Sequence, residues 1–138
     1  MTIEDLERQG LIKKLPIDKK KIEDAVQHAH NDIKTAKVVL QTDYDWAYTI
    51  AYNAILQAGR VLMFSKGYRP DGNSQHISVV KFAGLFLDNN DTIIFDRMRR
   101  KRNSSVYESS GTVTENEAEF AVGQSEVLVQ KLVALVSP

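Results

Sequence analysis

The 138-residue sequence contains no cysteine. Disulfides, thiolate metal sites and a cysteine nucleophile are therefore excluded. No apolar run approaches the roughly 18–20 residues that a membrane-spanning helix needs. The opening MTIEDLERQG is charged from the start and lacks the apolar stretch of a secretion signal. A cytoplasmic protein without a membrane role is the expectation. Net formal charge is zero, so no global field draws a polyanion to the surface. Histidines number only three, at positions 28, 30 and 76.

What is present is ordinary in bulk and uneven in detail. A hydrophobic fraction of 43% against 26% charged suits a globular chain, and this length is that of one domain able to bury about two-thirds of its unfolded surface. Charge is concentrated at Asp96–Arg102, where Arg97, Arg99, Arg100, Lys101 and Arg102 fall within seven positions, while residues 108–126 carry glutamates and no Lys or Arg. A dense basic patch on a neutral chain binds phosphate locally or is simply a solvated helix face.

Breaker residues divide the chain into helix-length pieces. Residues 2–9 suit a short helix stopped by Gly10, and Leu11–Pro16 reads as a connector. Ile22, Ala25, Ala29, Ile33, Ala36 and Leu40 form one apolar helical face. Asp18 is its candidate cap, but Lys19, Lys20 and Lys21 oppose the helix dipole and favour a start nearer Ile22. Thr42 or Asp43 caps a second helix running to Lys66 and stopped by Gly67, with Ala47, Ala51, Ala54 and Ala58 along one stripe. Small side chains at that spacing let a neighbouring helix approach closely.

Gly67–Asn73 is turn chemistry. Asn73 or Ser74 opens a third helix to about Leu87, Asp88–Asp91 breaks it, and a fourth runs from about Thr92 to Tyr107 before the Ser109-Ser110-Gly111 stop. Thr114 and Glu117 make a capping box for a last helix to about Val136. No alternating strand is recognised. The expectation is an all-α fold: a single antiparallel up-and-down bundle of four to five helices over residues 17–138, preceded by a short helix and connector over residues 1–16. Ile50, Ala54, Val61, Leu128 and Leu132 should be buried.

Few residues suggest chemistry. His28 and His30 lie about 200° apart around a helix and cannot share a metal from one face. His76, in the first turn of the third helix, meets either a ligand or a loop carbonyl. Asp43 and Asp45 read as cap and first-turn residues, and Trp46, Tyr48 and Tyr52 as core packing. Gly67–Gly72 lacks the Lys-Ser/Thr ending of a phosphate-cradling loop. Neither a metal nor a cofactor is expected.

The basic stretch is different. The run DYDWAYTIAYNAILQAGRVLMFSKGYRP, followed by RRKRNSSVYE, resembles the HEPN domain family. The resemblance lies in an Ala-rich, Tyr-containing helix, a Gly-x-Arg turn and an Arg-Asn pair opening the family's Arg-four-residues-His signature. It covers about residues 18–136. The signature histidine falls at position 107, where this chain has Tyr107, as in a branch with tyrosine at that place. The resemblance implies a cleft at a dimer interface, with Arg102 and Tyr107 as the catalytic pair and Arg97, Arg99, Arg100, Lys101, Arg102 and Asn103 as the nucleic-acid-binding set. A phenol with a pKa near about 10 moves protons poorly at neutral pH.

The resemblance also implies a function: an RNA- or nucleotide-associated HEPN component of a toxin–antitoxin-like pair with a nucleotidyltransferase partner, with weak or no intrinsic ribonuclease activity. The alternatives are a non-catalytic nucleotide- or RNA-binding module and a dimeric protein-interaction domain. Positions five apart sit about 140° around a straight helix, so Arg102 and Tyr107 meet only if the helix kinks or a second protomer contributes. A homodimer is expected on that ground.

Overall fold

The alanine stripe sets the architecture. Ala47, Ala51, Ala54 and Ala58 are wholly shielded from solvent within the helix Tyr44–Ser65, and the chain packs around that helix on several sides. The structure, a computed structural model, describes residues 1–107 and 112–136, without the side chains of residues 104–107. Its elements are α1 (Ile3–Arg8), β1 (Ile12–Lys14), α2 (Lys19–Val39), α3 (Tyr44–Ser65), β2 (Tyr68–Pro70), α4 (Gln75–Ala83), α5 (Asn89–Tyr107) and α6 (Glu115–Ala134). The fold is an all-α up-and-down bundle, with α3 central and in contact with α2, α6, α4 and α5. None of the described helices is long and apolar enough to cross a membrane.

Local chemistry explains the element ends. Asp18 caps α2, its carboxylate accepting from Lys20 N at 3.0 Å and Lys21 N at 3.4 Å. The helix therefore starts at Lys19, earlier than the three lysines suggested, because the cap and the Lys20–Asp24 pair answer the first-turn charge. Asp43 caps α3 through Trp46 N at 3.0 Å. Asp45 has a different role, accepting the Val113 N–H at 3.2 Å and so tying the start of α3 to the segment before α6. Thr114 and Glu117 form the expected capping box on α6, which ends at Ala134. The Ser109-Ser110-Gly111 stop lies outside the described residues.

Several sequence expectations change. β1 and β2 pair antiparallel, Ile12 opposite Pro70 and Lys14 opposite Tyr68, where the sequence read only a connector and a turn. Three-residue strands are too short to show alternation, and a proline is tolerated where a strand has a free edge. Gly67 and Gly72 flank β2 with φ of 84° and 80°, a region that glycine enters without steric cost. Leu6 and Ile12 are buried in the same core as α3.

α4 ends at Ala83 rather than near Leu87, and Leu85, Phe86 and Leu87 continue as a turn packed on the core. α5 starts at Asn89 rather than Thr92, because Asp88 accepts from Asp91 N at 2.8 Å. Trp46 is 57% exposed while Tyr48 and Tyr52 are buried, so the core reading holds for the two tyrosines only. Burial, reinforced by the negative charge of Glu117, pushes the Tyr48 pKa up to about 12. Ala54, Val61, Leu128 and Leu132 are buried as expected, but Ile50 only partly.

Two close approaches fix the place of α4. A Cβ on Gly59 of α3 would collide with Val79 Cγ1 of α4, and one on Gly84 would come within 3.0 Å of Thr92 Cγ2. The middle of α4 is thereby held against α3 and its C-terminal end beside α5.

Candidate phosphate-binding cleft

α5 is anchored by Phe95 and Met98, both buried. Two ion pairs tie it to α6: Asp91 with Lys131 at 2.7 Å, and Lys101 with Glu117 at 3.5 Å. Lys101 also donates to the Thr112 carbonyl at 3.1 Å. With that register fixed, the basic run divides. Arg99, Arg102 and Asn103, spaced three and four residues apart, face the start of α4. Arg97, Arg100 and Lys101 line a larger groove of about 1200 Å³ whose floor includes Val80 and Leu85, with Arg99 on the rim of both. The basic residues thus line two spaces, and Lys101 also has a structural role.

The smaller space is an open cleft of about 420 Å³, lined by Ser74, Gln75 and His76 from α4 and its approach and by Arg99, Arg102 and Asn103 from α5. No carboxylate lines it among the described residues. Asp96 lies one turn before Arg99. It accepts from Arg99 Nε at 3.0 Å and from Arg100 Nε at 2.9 Å. Burial alone would raise the Asp96 pKa, but hydrogen bonds from Arg100 and Arg99 prevail and hold it below the usual carboxylate range. Arg102 Nη1 donates to Asn103 Oδ1 at 3.1 Å, which orients the amide.

His76 joins this group through α3. Its Nδ1 lies 3.0 Å from the Tyr52 hydroxyl, and the two rings sit 5.8 Å apart. Tyr52 is 1% exposed, and burial drives its phenol far up, so it remains protonated. A buried hydroxyl proton needs an acceptor, and among the described residues Nδ1 is the one within reach. Tyr52 therefore donates, Nδ1 accepts, and the neutral imidazole carries its own proton on Nε2. Burial lowers the His76 pKa, and the positive charges of Arg102, Arg60 and Arg99 lower it further. Half-buried Arg60, on α3, has its own pKa lowered by desolvation.

The sequence placed Arg99, Arg102 and Asn103 in one binding set and left His76 between ligand and loop carbonyl. The structure gives its Nδ1 a tyrosine hydroxyl in place of a loop carbonyl. Tyr52 was rightly read as core, but its bond to His76 was missed and Arg60 was not singled out, since only the α3–α4 approach brings them near His76. His28 and His30 are exposed on α2. Tyr107 closes α5, and its side chain lies outside the described residues.

The fold and cleft together define an all-helical bundle with a cationic, donor-rich cleft. The HEPN domain profile matches residues 22–135, and the chain belongs to the HEPN family, whose domains are generally related to nucleotides or RNA. The crystal structure of an archaeal HEPN homologue superposes with a TM-score of 0.62 at 15% identity, covering 84% of this chain and 98% of that one. At that identity the likeness speaks for the fold alone. No curated protein matches the chain.

Proposed function

We propose that this HEPN protein binds RNA or a nucleotide through the α4–α5 cleft, with Arg99, Arg102 and Asn103 holding phosphate, and that its intrinsic ribonuclease activity is weak or absent. The observation that carries this reading is the convergence of two guanidinium groups, an amide and an imidazole on one cleft whose described lining holds no carboxylate. Guanidinium–phosphate contacts are charge-assisted and directional. Weak activity follows from the imidazole: neutral His76 turns an Nε2–H, a donor, toward the cleft, not a basic lone pair. Position 107 offers a phenol in place of the signature histidine.

The protein works as a homodimer and as the HEPN component of a toxin–antitoxin-like pair with a nucleotidyltransferase partner. The family resemblance supports that role, and the angular separation of Arg102 and Tyr107 supports a second protomer. Binding of a short oligoribonucleotide should weaken steeply with added salt, with no cleavage of total RNA over the same period. A salt-independent affinity, or none at low salt, would leave only a protein-interaction role. Sedimentation showing a monomer at micromolar concentration would remove the shared-cleft arrangement.

A further inference from the structure

The α4–α5 cleft has a charge and donor pattern that distinguishes kinds of phosphate. We propose that it selects a phosphomonoester dianion over an internal phosphodiester, and that His76 joins Arg99 and Arg102 in holding it by taking up a proton. This inference rests on the phosphate-binding reading and narrows it.

Charge comes first. Arg99 and Arg102 line the cleft, and Arg60 adds its field to theirs at His76 from α3. Among the described residues the nearby carboxylates are themselves paired: Asp96 offsets one of the two charges of Arg99 and Arg100, and Asp71, on the approach to α4, lies 3.5 Å from Arg69. The first turn of α4 contains no acidic residue. Without a ligand, then, the cations repel any proton that would charge His76. A bound monoanion offsets one positive charge, whereas a dianion offsets two and leaves room for the imidazolium.

Donors come second. A phosphomonoester presents three unesterified oxygens and a diester two. The cleft offers three donor groups, the guanidiniums of Arg99 and Arg102 and the Nε2–H of His76, with Asn103 and Ser74 beside them. The proton has a defined destination. It comes from solvent and goes to Nδ1, and the Tyr52 hydroxyl turns from donor to acceptor across the same 3.0 Å contact, its own proton giving up the Nδ1 acceptor at a cost that the bound dianion must offset. The phenol keeps its own proton throughout, because burial holds Tyr52 in the neutral form. Dianion binding is therefore coupled to uptake of one proton and to a reversal of one buried hydrogen bond.

The experiment follows the ring resonances of the three histidines in the full chain by nitrogen-15 NMR, against pH. The probes are inorganic sulfate, 5′-AMP, a 5′-phosphorylated oligoribonucleotide and the same oligoribonucleotide without its terminal phosphate. Sulfate keeps its double charge across the range, so its pH dependence reports the protein alone. The His76 pKa should rise by about one unit with sulfate and with AMP, which equals about tenfold tighter binding to the protonated form. His28 and His30, exposed on α2, should not move.

Comparing AMP with the phosphorylated oligoribonucleotide tells whether the dianion belongs to a free nucleotide or an RNA end. His76→Gln should retain a helical circular-dichroism spectrum and lose the pH dependence of sulfate binding between pH 5 and 8. Binding of these ligands without movement of the His76 resonance would overturn the inference while sparing the phosphate-binding reading. So would equal affinity for the oligoribonucleotide with and without its terminal phosphate. Failure of every probe to bind would remove both.

Discussion

Four alanines on α3 and five cations on α5 are each a run of one chemistry, yet the bundle treats them in opposite ways. The alanines all face inward, and every one is shielded. The cations turn to three destinations: Arg99 and Arg102 to the α4 cleft, Arg97 and Arg100 to the wider groove, and Lys101 to Glu117 and the Thr112 carbonyl. Spacing of three and four on α3 carries one instruction, a seam. The run on α5, interrupted by the buried Met98, spreads its cations over several faces of the helix, so its meaning is decided by what packs on each side.

The contrast would break most visibly at the seam. Leu128 is fully buried on α6, a helix that packs on α3. Leu128→Ala should cost about 2–5 kcal/mol of stability through lost transfer free energy and a residual cavity. Urea denaturation should show the loss as a lower midpoint at an unchanged slope. An unchanged midpoint would mean that α6 is not part of the cooperative core.

On the α5 side the largest change should appear in binding. Arg102→Ala removes one charge-assisted contact, which is worth about 1.5–3 kcal/mol, so oligoribonucleotide affinity should fall about 10- to 100-fold while the denaturation midpoint barely moves. An unfolded variant would make Arg102 a structural residue and withdraw it from the site.

Legibility in the sequence divides along the same line. The helices, their caps at Asp18, Asp43 and Thr114, and the α3 seam were readable because caps and periodicity act over a few residues. The β1–β2 ladder was not, because it joins residues more than fifty positions apart by only three pairs. Trp46 looked like core but sits exposed in the first turn of α3, where no neighbour covers it enough to bury it. Of the cleft residues, Arg99, Arg102 and Asn103 were visible within the basic set over 97–103, but not as distinct from Arg97, Arg100 and Lys101. Tyr52 and Arg60 belong to a helix some forty residues earlier, and only the Gly59–Val79 approach brings them to His76.

A smaller change would sharpen the role of Asp96, which holds Arg99 and Arg100 together. Asp96→Asn should raise oligoribonucleotide affinity a few-fold by freeing two guanidiniums, with a modest loss of stability near pH 7. The pH dependence has a definite sign. The folded Asp96 pKa is held low by Arg100 and Arg99 against the effect of burial. Its contribution is therefore fully present above the ordinary carboxylate pKa and is lost as pH falls through the lower folded value. The variant should show a shallower loss of stability on acidification than the parent. Lower affinity in the variant would mean that Asp96 orients Arg99 for the ligand and does not compete with it.

The smallest effect is expected at Tyr107, four residues beyond Asn103 on α5. If phosphate is held by Arg99, Arg102 and His76, removal of the phenolic oxygen leaves those donors in place. Tyr107→Phe should then leave oligoribonucleotide affinity within about twofold of the parent, and the background level of RNA cleavage unchanged. A phenol near its ordinary pKa is almost fully protonated at neutral pH and is a poor proton acceptor. His76 does not substitute for it, because Tyr52 occupies Nδ1 and leaves Nε2 protonated. The opposite result is equally clear: efficient cleavage near pH 7 by the unmodified protein, abolished in Tyr107→Phe. The phenol itself would then be the proton-transfer group, with its pKa drawn down by the neighbouring arginines. In that case α5 would carry catalysis as well as binding, and the division of its cations would be part of an active site.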